Sequence, residues 1–319
     1  MTPRPCKFTH PPSLDLSIIV VNFNTRDILI ECLRSVHEHT PDLSFEIFVV
    51  DNHSTDGSVE AVKEHFPEVR LIENTENRGF SAANNQAILL SRGEFIVLLN
   101  PDTLLVENSF LKIIRFLRSR PEFSILSPAI IDSRDRLCSM RLWEDTPRDA
   151  ILKILGKYPS ADEFKRMGPL QTREVEVVGG ACFVIRRKLF DKAVGLLDEN
   201  YFLYNEEDDF CRRARSRGQK ICFFPDTSVK HLRGKSTHQP EIRERVILET
   251  YKSNLYFFSK YYSPGWNVIL RFLYCLTFCM GIIRSLFKRV TGRPWRGVED
   301  SVSLKLKLLF MKVPKSGTS

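Results

Sequence analysis

Apolar and polar positions alternate between two periods along the first 131 residues. Leu16–Asn22 is a continuous apolar run rich in β-branched residues, the pattern of a strand buried on both faces. Ile28, Leu29, Cys32, Leu33 and Val36 then recur at helical spacing, so a helix follows. Glu46–Asp51 reads as a second buried strand, Ser58–His65 as a helix, Val69–Glu73 as a strand and Ser81–Leu90 as a helix. Glu94–Leu99 is another apolar strand, Ser109–Arg118 another amphipathic helix, and Phe123–Ile131 closes the series. Strands separated by single helices predict an α/β fold with a mostly parallel, twisted sheet flanked by helices.

The later pattern is less regular. Asp132 to Glu174 predicts no defined element. Val175–Val178 leads into Gly179-Gly180, then an apolar run through Ile185 to Arg186-Arg187. Tyr201–Tyr204 precedes Glu206-Glu207-Asp208-Asp209, and a helix carrying Arg212, Arg213, Arg215 and Arg217 ends at Gly218. Acids at its start and arginines at its end both suit the helix dipole. Lys220–Phe224 predicts a short strand, with Asp226 and a loop over Val229–Ser236 behind it. From Glu241 onward the pattern is helical.

Composition narrows the class. In 319 residues, 43% are hydrophobic and 27% charged, the balance of a globular chain and not of a disordered or fibrous one. The net charge of +8 is unevenly placed: from Arg284 to the end there are nine Lys/Arg against two acids. A basic tail points to an anionic surface. It lacks the interleaved aromatics of a nucleic-acid binder, so no nucleic acid is expected, and a solvated tail is the plainer alternative. Trp266 to Phe287 is apolar but interrupted by Arg271 and Arg284, leaving an unbroken apolar stretch of 12 residues, Phe272 to Ile283. A membrane-spanning helix needs about 20, so a helix lying on a membrane or an ordinary docking helix fits better. The eight cysteines include no CxxC pair, which predicts free thiols in a reducing cytosol. The proline-rich start, with Pro3, Pro5, Pro11 and Pro12, carries no apolar signal-peptide stretch. The expected organisation is a disordered lead-in over residues 1–14, a catalytic domain over 15–238, and a basic, helical, membrane-associated region over 239–319.

Open α/β sheets bind ligands at the carboxyl ends of their strands, and those ends are polar here. Asn22 and Asn24 follow the first strand; Asp51 ends the second; Asn77, Arg78 and Gly79 follow the third; Asn100, Pro101 and Asp102 follow the fourth. Asp51 can accept a bond from a base N–H or a ribose hydroxyl, or can form an Asx turn. Asp102 can hold a divalent ion bridging two phosphates, although Pro-Asp is also common in type I turns. Gly79 permits close backbone approach. Glu206 and Asp209 share a helix face, and four crowded carboxylates raise at least one pKa, which suits a general base. A neutral His231 can complete a metal shell, while Arg233 and Lys235 can reach phosphate; a lone loop histidine is otherwise simply exposed.

Together these segments resemble a family 2 inverting glycosyltransferase of the GT-A fold, rhamnosyltransferase-like, over roughly Ser17 to Ser236. "SIIVVNFN" resembles the family's opening strand and "VVDNHSTDGS" its nucleotide-binding segment, which makes Asp51 the base- or ribose-binding acid. "NRGFSAANNQA" implies that Asn77, Arg78, Gly79 and Asn84 lie near the nucleotide. "LLNPD" stands where the family has its DxD motif; Asn100 replaces the first aspartate, removing one charge and leaving Asp102 as the implied metal ligand. "VGGACFVIRR" resembles the acceptor-side loop, with Gly179 and Gly180 beside the transferred sugar. "FLYNEEDDFCRRA" resembles F-x-Y-x-E-D-x-D-x-C-x-R, so Glu207 stands where the family has its aspartate base, with Glu206 and Asp209 on the acceptor side. "VKHLRGKS" places His231 at the metal-binding histidine of some members.

The resemblance implies a divalent cation (Mg2+ or Mn2+), a nucleotide-sugar donor, a glycan or lipid-linked acceptor, and work at the cytoplasmic membrane face. Rhamnose from a thymidine-diphosphate donor is the best-matched sugar. A sugar nucleotidyltransferase shares the sheet type, but no Gly-rich N-terminal phosphate loop with a basic residue is present. An inactive nucleotide-sugar-binding protein is the remaining alternative, given Asn100 and Glu207.

Overall fold

A computed structural model describes residues 8, 11–138, 142–155, 170–191, 194–232 and 240–290. The strands are β1 (Leu14–Asn22), β2 (Phe45–Asp51), β3 (Arg70–Glu73), β4 (Gly93–Leu99), β5 (Thr103–Leu105), β6 (Phe123–Ile131), β7 (Arg173–Val175), β8 (Cys182–Arg186) and β9 (Lys220–His231). They form one sheet in the order β3-β2-β1-β4-β8-β6-β9-β5, with β7 also paired to β9. The half built from β1 to β4 is parallel. In the other half β8 runs antiparallel to β4 and β6, and β5 and β7 antiparallel to β9.

Because strand side chains alternate faces, β1 feeds two cores. Ile18 and Val20 join one, with Leu29, Leu33 and Val36 of α1 (Arg26–Glu38) and Phe110, Ile113 and Leu117 of α4 (Ser109–Ser119). Ile19 joins the other, with Ala83, Ala87 and Ile88 of α3 (Gly79–Leu90) and Phe210, Cys211 and Ala214 of α6 (Glu206–Arg215). The remaining helices are α2 (Ser58–His65), α5 (Pro147–Ile154), α7 (Pro240–Tyr261) and α8 (Pro264–Val290).

Three expectations change. Helix α5 lies inside the segment read as featureless. The expected loop carrying His231 is instead the end of β9, a 12-residue strand. A bulge around Pro225–Thr227, where Phe224 pairs with Pro128 and Ser228 with Ala129, breaks the period-2 pattern without ending the strand. The lead-in is also partly ordered: Leu14 is already in β1, and the Phe8 ring lies 3.7 Å from the Arg187 guanidinium.

Helices α7 and α8 are part of the same body. Leu255, Tyr256, Phe257, Phe258 and Leu270 form a third core with Ala150 and the fully buried Tyr201. Five of the seven described cysteines are buried, and all seven are free.

Candidate active site

At the donor end, register brings the polar residues together. Asn22 pairs with Asp51 across β1 and β2, and the Asn22 amide donates to Asp51 Oδ1 at 2.8 Å. The Ser54 backbone N–H donates to Asp51 Oδ2 at 2.8 Å. Asn24, at φ 53, accepts from the Thr55 N–H at 2.7 Å. Asp51 is 3% exposed, so these bonds fix a carboxylate at the strand end. Arg78 is exposed at the start of α3 and forms no ion pair among the described residues.

Three expected nucleotide contacts have other roles. Asn84 is fully buried inside α3, and its amide donates to the Phe80 carbonyl one turn back at 2.9 Å; helix phase turns it inward. Asn77 Oδ1 accepts from the Gly79 N–H at 3.0 Å, a local turn. Gly79 (φ +80) is needed because a Cβ there would sit 2.6 Å from the Phe202 carbonyl oxygen. The Phe80 N–H donates to that same oxygen at 2.7 Å. Gly79 thus admits the neighbouring loop's backbone, joining the donor side to the Tyr201–Tyr204 segment.

The fourth strand end meets β9. Thr103 pairs with His231, and the Asp102 carbonyl accepts from the Leu232 N–H at 2.8 Å. This register sets Asp102 Oδ1 3.0 Å from His231 Nε2. Their side chains are 5% and 18% exposed, so the pair faces outward only at its tip. Arg233 and Lys235 lie outside the described residues.

Loop 179–181 connects this pair to the acidic helix. The Asn100 N–H donates to the Ala181 carbonyl at 3.1 Å, and the Thr103 hydroxyl to the same oxygen at 3.2 Å. One residue earlier, Gly180 abuts Glu207: a Cβ there would lie 2.0 Å from Glu207 Oε1. A Cβ on Gly179 would meet nothing within 4 Å. The residues on either side of Asp102 are therefore connected to Glu207 through two adjacent loop residues, Ala181 and Gly180.

Within the acidic run only Glu207 keeps partial exposure; Glu206 is 2% exposed and Asp209 0%. Burial, then the neighbouring Glu207 charge and a hydrogen bond to it, push the Glu206 carboxyl well above its ordinary value. Burial beside Glu207 therefore favours the neutral form of Glu206. Glu206 is not placed to touch a sugar. Asp209 is also removed from the acceptor side: it accepts from Arg213 Nε at 2.7 Å, the Tyr261 hydroxyl at 2.6 Å, and Lys260. The shared face of Glu206 and Asp209 points into the protein.

Sequence reading missed Tyr204, Asn52 and Lys260. Tyr204 is 41% exposed and, like Asn205, has φ 68; such left-handed non-glycine pairs gather at functional sites. Burial, then the charges of Glu206, Glu207 and Asp102, raise its phenol above the usual value. Asn52 braces β2 to α3: its amide donates to the Gly79 carbonyl at 3.1 Å.

The model of "Glycosyl transferase family 2" matches residues 17–194. The chain belongs to glycosyl transferase family 2. This glycosyltransferase is 26% identical over 274 residues to the N-acetylglucosaminyl-diphospho-decaprenol L-rhamnosyltransferase of Mycobacterium tuberculosis, covering 80% of this chain and 88% of that one. It is 27% identical over 220 residues to the low-salt glycan biosynthesis hexosyltransferase Agl10 of Haloferax volcanii, covering 68% and 66%. Its fold is that of GT-A enzymes. GalNAc-T7, solved with UDP, GalNAc and Mn2+, aligns with TM-score 0.52 at 17% identity over 77% of this chain and 50% of that one. S. aureus TarS 1–349, solved with UDP, aligns with TM-score 0.51 at 17% identity over 76% and 65%.

The residues of this glycosyltransferase fit a divalent cation held by two protein donors. Asp102 Oδ1 and His231 Nε2 lie within hydrogen-bond distance of each other at 3.0 Å, and a carboxylate and an imidazole are both groups that would serve as ligands. Among the described residues no cluster of three His, Cys, Asp or Glu is present, so the other positions would fall to phosphate and water, as is usual for Mg2+.

Proposed function

We propose that the protein transfers a hexose, with inversion, from a nucleoside-diphosphate sugar to a glycan or lipid-linked hydroxyl, and that rhamnose from a thymidine-diphosphate donor is the sugar. The observation that carries the reading is the adjacent pair Gly180-Ala181: the Ala181 carbonyl holds the Asn100 N–H, and Gly180 abuts Glu207. This places a carboxylate beside the strand end that would receive the diphosphate. The name of the Mycobacterium tuberculosis relative supports both the sugar and the lipid-linked acceptor.

Asp51, braced by Asn22 and Ser54, receives the nucleoside. Arg78 is free to reach the phosphates. Asp102 and His231 would hold a divalent cation, which when bound offsets charge on the departing diphosphate. Glu207 takes the proton from the acceptor hydroxyl as its oxygen attacks the anomeric carbon. The carbon–diphosphate bond breaks on the opposite side, so one displacement inverts the configuration. Neutral Glu206 holds the Glu207 carboxylate in place.

The test is transfer from a panel of nucleotide sugars to a diphospholipid-linked amino sugar. Glu207→Gln is expected to lower kcat about 10²–10⁴-fold, the usual contribution of a general base, with donor binding retained. Full activity in that variant would overturn the reading. Donor binding by the wild type without transfer to any acceptor would favour a binding module.

A further inference from the structure

Helix α8 has two apolar faces, and the protein uses one of them. On the inner face Leu270 is fully buried and Tyr274 packs edge-on against Tyr251, ring centroids 4.4 Å apart. On the outer face, every exposed side chain described between Trp266 and Met280 is apolar: Val268, Ile269, Phe272, Leu276, Cys279 and Met280. Val268 is 68% exposed and Phe272 66%. At about 100° per residue these positions fall within an arc of about 120°. A soluble surface seldom leaves such a stripe bare, and a continuous one marks an interaction site.

Charge selects the occupant. The sequence of α8 contains no acid; Arg284, Lys288 and Arg289 follow the stripe, and the chain beyond stays basic, with nine Lys/Arg against two acids from Arg284 onward. Arg271, at the flank, is held by Asn267 Oδ1 at 2.9 Å. A second copy would bring like charge against like charge. No described helix is long and apolar enough to cross a membrane. An apolar stripe followed by cations matches a bilayer surface carrying anionic lipid.

We propose that α8 docks in the plane of an anionic lipid bilayer, with Val268, Phe272 and Leu276 entering the acyl boundary, and that the basic sequence after the stripe supplies the preference for anionic lipid. The catalytic reading plays no part in this, and the test needs no activity.

Full-length protein is sedimented with phosphatidylcholine vesicles, alone or mixed with phosphatidylglycerol. Binding to the anionic vesicles is expected to be about tenfold stronger and to weaken with added salt. Phe272→Glu with Leu276→Glu is expected to weaken it a further tenfold or so, with an unchanged melting temperature. Should that pair misfold, Val268→Ser with Phe272→Ser is measured with the same expectations. No binding by the wild type, or equal binding by a folded variant, overturns the proposal. So does a dimer that the variant dissociates, which makes the stripe a self-interface. Binding that emerges only after removal of residues 291–319 also overturns it, by giving the stripe to the protein's own tail.

Discussion

Glu206 and Glu207 are adjacent in sequence yet do different things, and the difference is solvent. Burial holds the Glu206 carboxyl toward its neutral form, whereas Glu207 keeps partial contact with solvent. Because the folded-state value of Glu206 lies above its ordinary 4.5, the native state holds this proton more tightly than the unfolded chain. Its favourable share of stability is complete below pH 4.5 and falls as pH rises toward the folded value, by at most about 1.4 kcal/mol per pH unit. Glu206→Gln keeps a donor for Glu207 and removes the titration. Its melting temperature relative to wild type is expected to be higher at pH 8 than at pH 5; a difference independent of pH would contradict the assignment. The two loop glycines offer a second contrast. Gly180→Ala puts a methyl group onto the Glu207 carboxylate, and a misplacement of that order can cost about a hundredfold in kcat. Gly179→Ala meets open space and is expected to stay near wild-type activity in the same assay.

At the level of elements, the buried strands and amphipathic helices of the first half were legible because each keeps one period throughout. β9 was not, since a bulge at Pro225–Thr227 interrupts its period. The strand-end positions of Asp51 and Asp102 were legible, because a strand end follows from the period of its run. Helix phase was not, and it buries Asn84 and Asp209 fully. Nothing in a local motif announces Lys260, because its partners lie 62 and 51 residues away. Lys260 joins α7 to Asp198 at 2.6 Å and also to Asp209, on the helix that carries Glu207. Burial works to raise the Asp198 carboxyl, but Lys260 and Asn200 outweigh it and hold it below its usual range. Lys260→Met leaves Asp198 facing an apolar group and is expected to cost about 3 kcal/mol in denaturant unfolding. Lys260→Arg should recover part of that loss.

For the whole molecule, the family match ends at Val194, but the folded body does not. Tyr201 packs against Tyr256, ring centroids 4.9 Å apart. Ser253 donates to the Leu203 carbonyl at 2.8 Å, and the Asn205 amide to Asn254 at 3.2 Å. The segment leading to Glu207 is therefore seated on α7. A chain ending at residue 238 exposes this third core and takes Lys260 away from Asp198 and Asp209. It is expected to lose cooperative thermal unfolding, and a sharp calorimetric transition in that fragment would argue against the dependence.

The pairing of Thr103 with His231 has an outcome for how the molecule can vary. Asp102 and His231 stand 129 positions apart, and ladder bonds between two strands, not any intervening loop, set their separation. Intervening surface connections can lengthen or change composition while that ladder stays in register, with the Asp102–His231 separation held fixed. A slip of one position along β9 would turn the imidazole to the opposite side of the sheet.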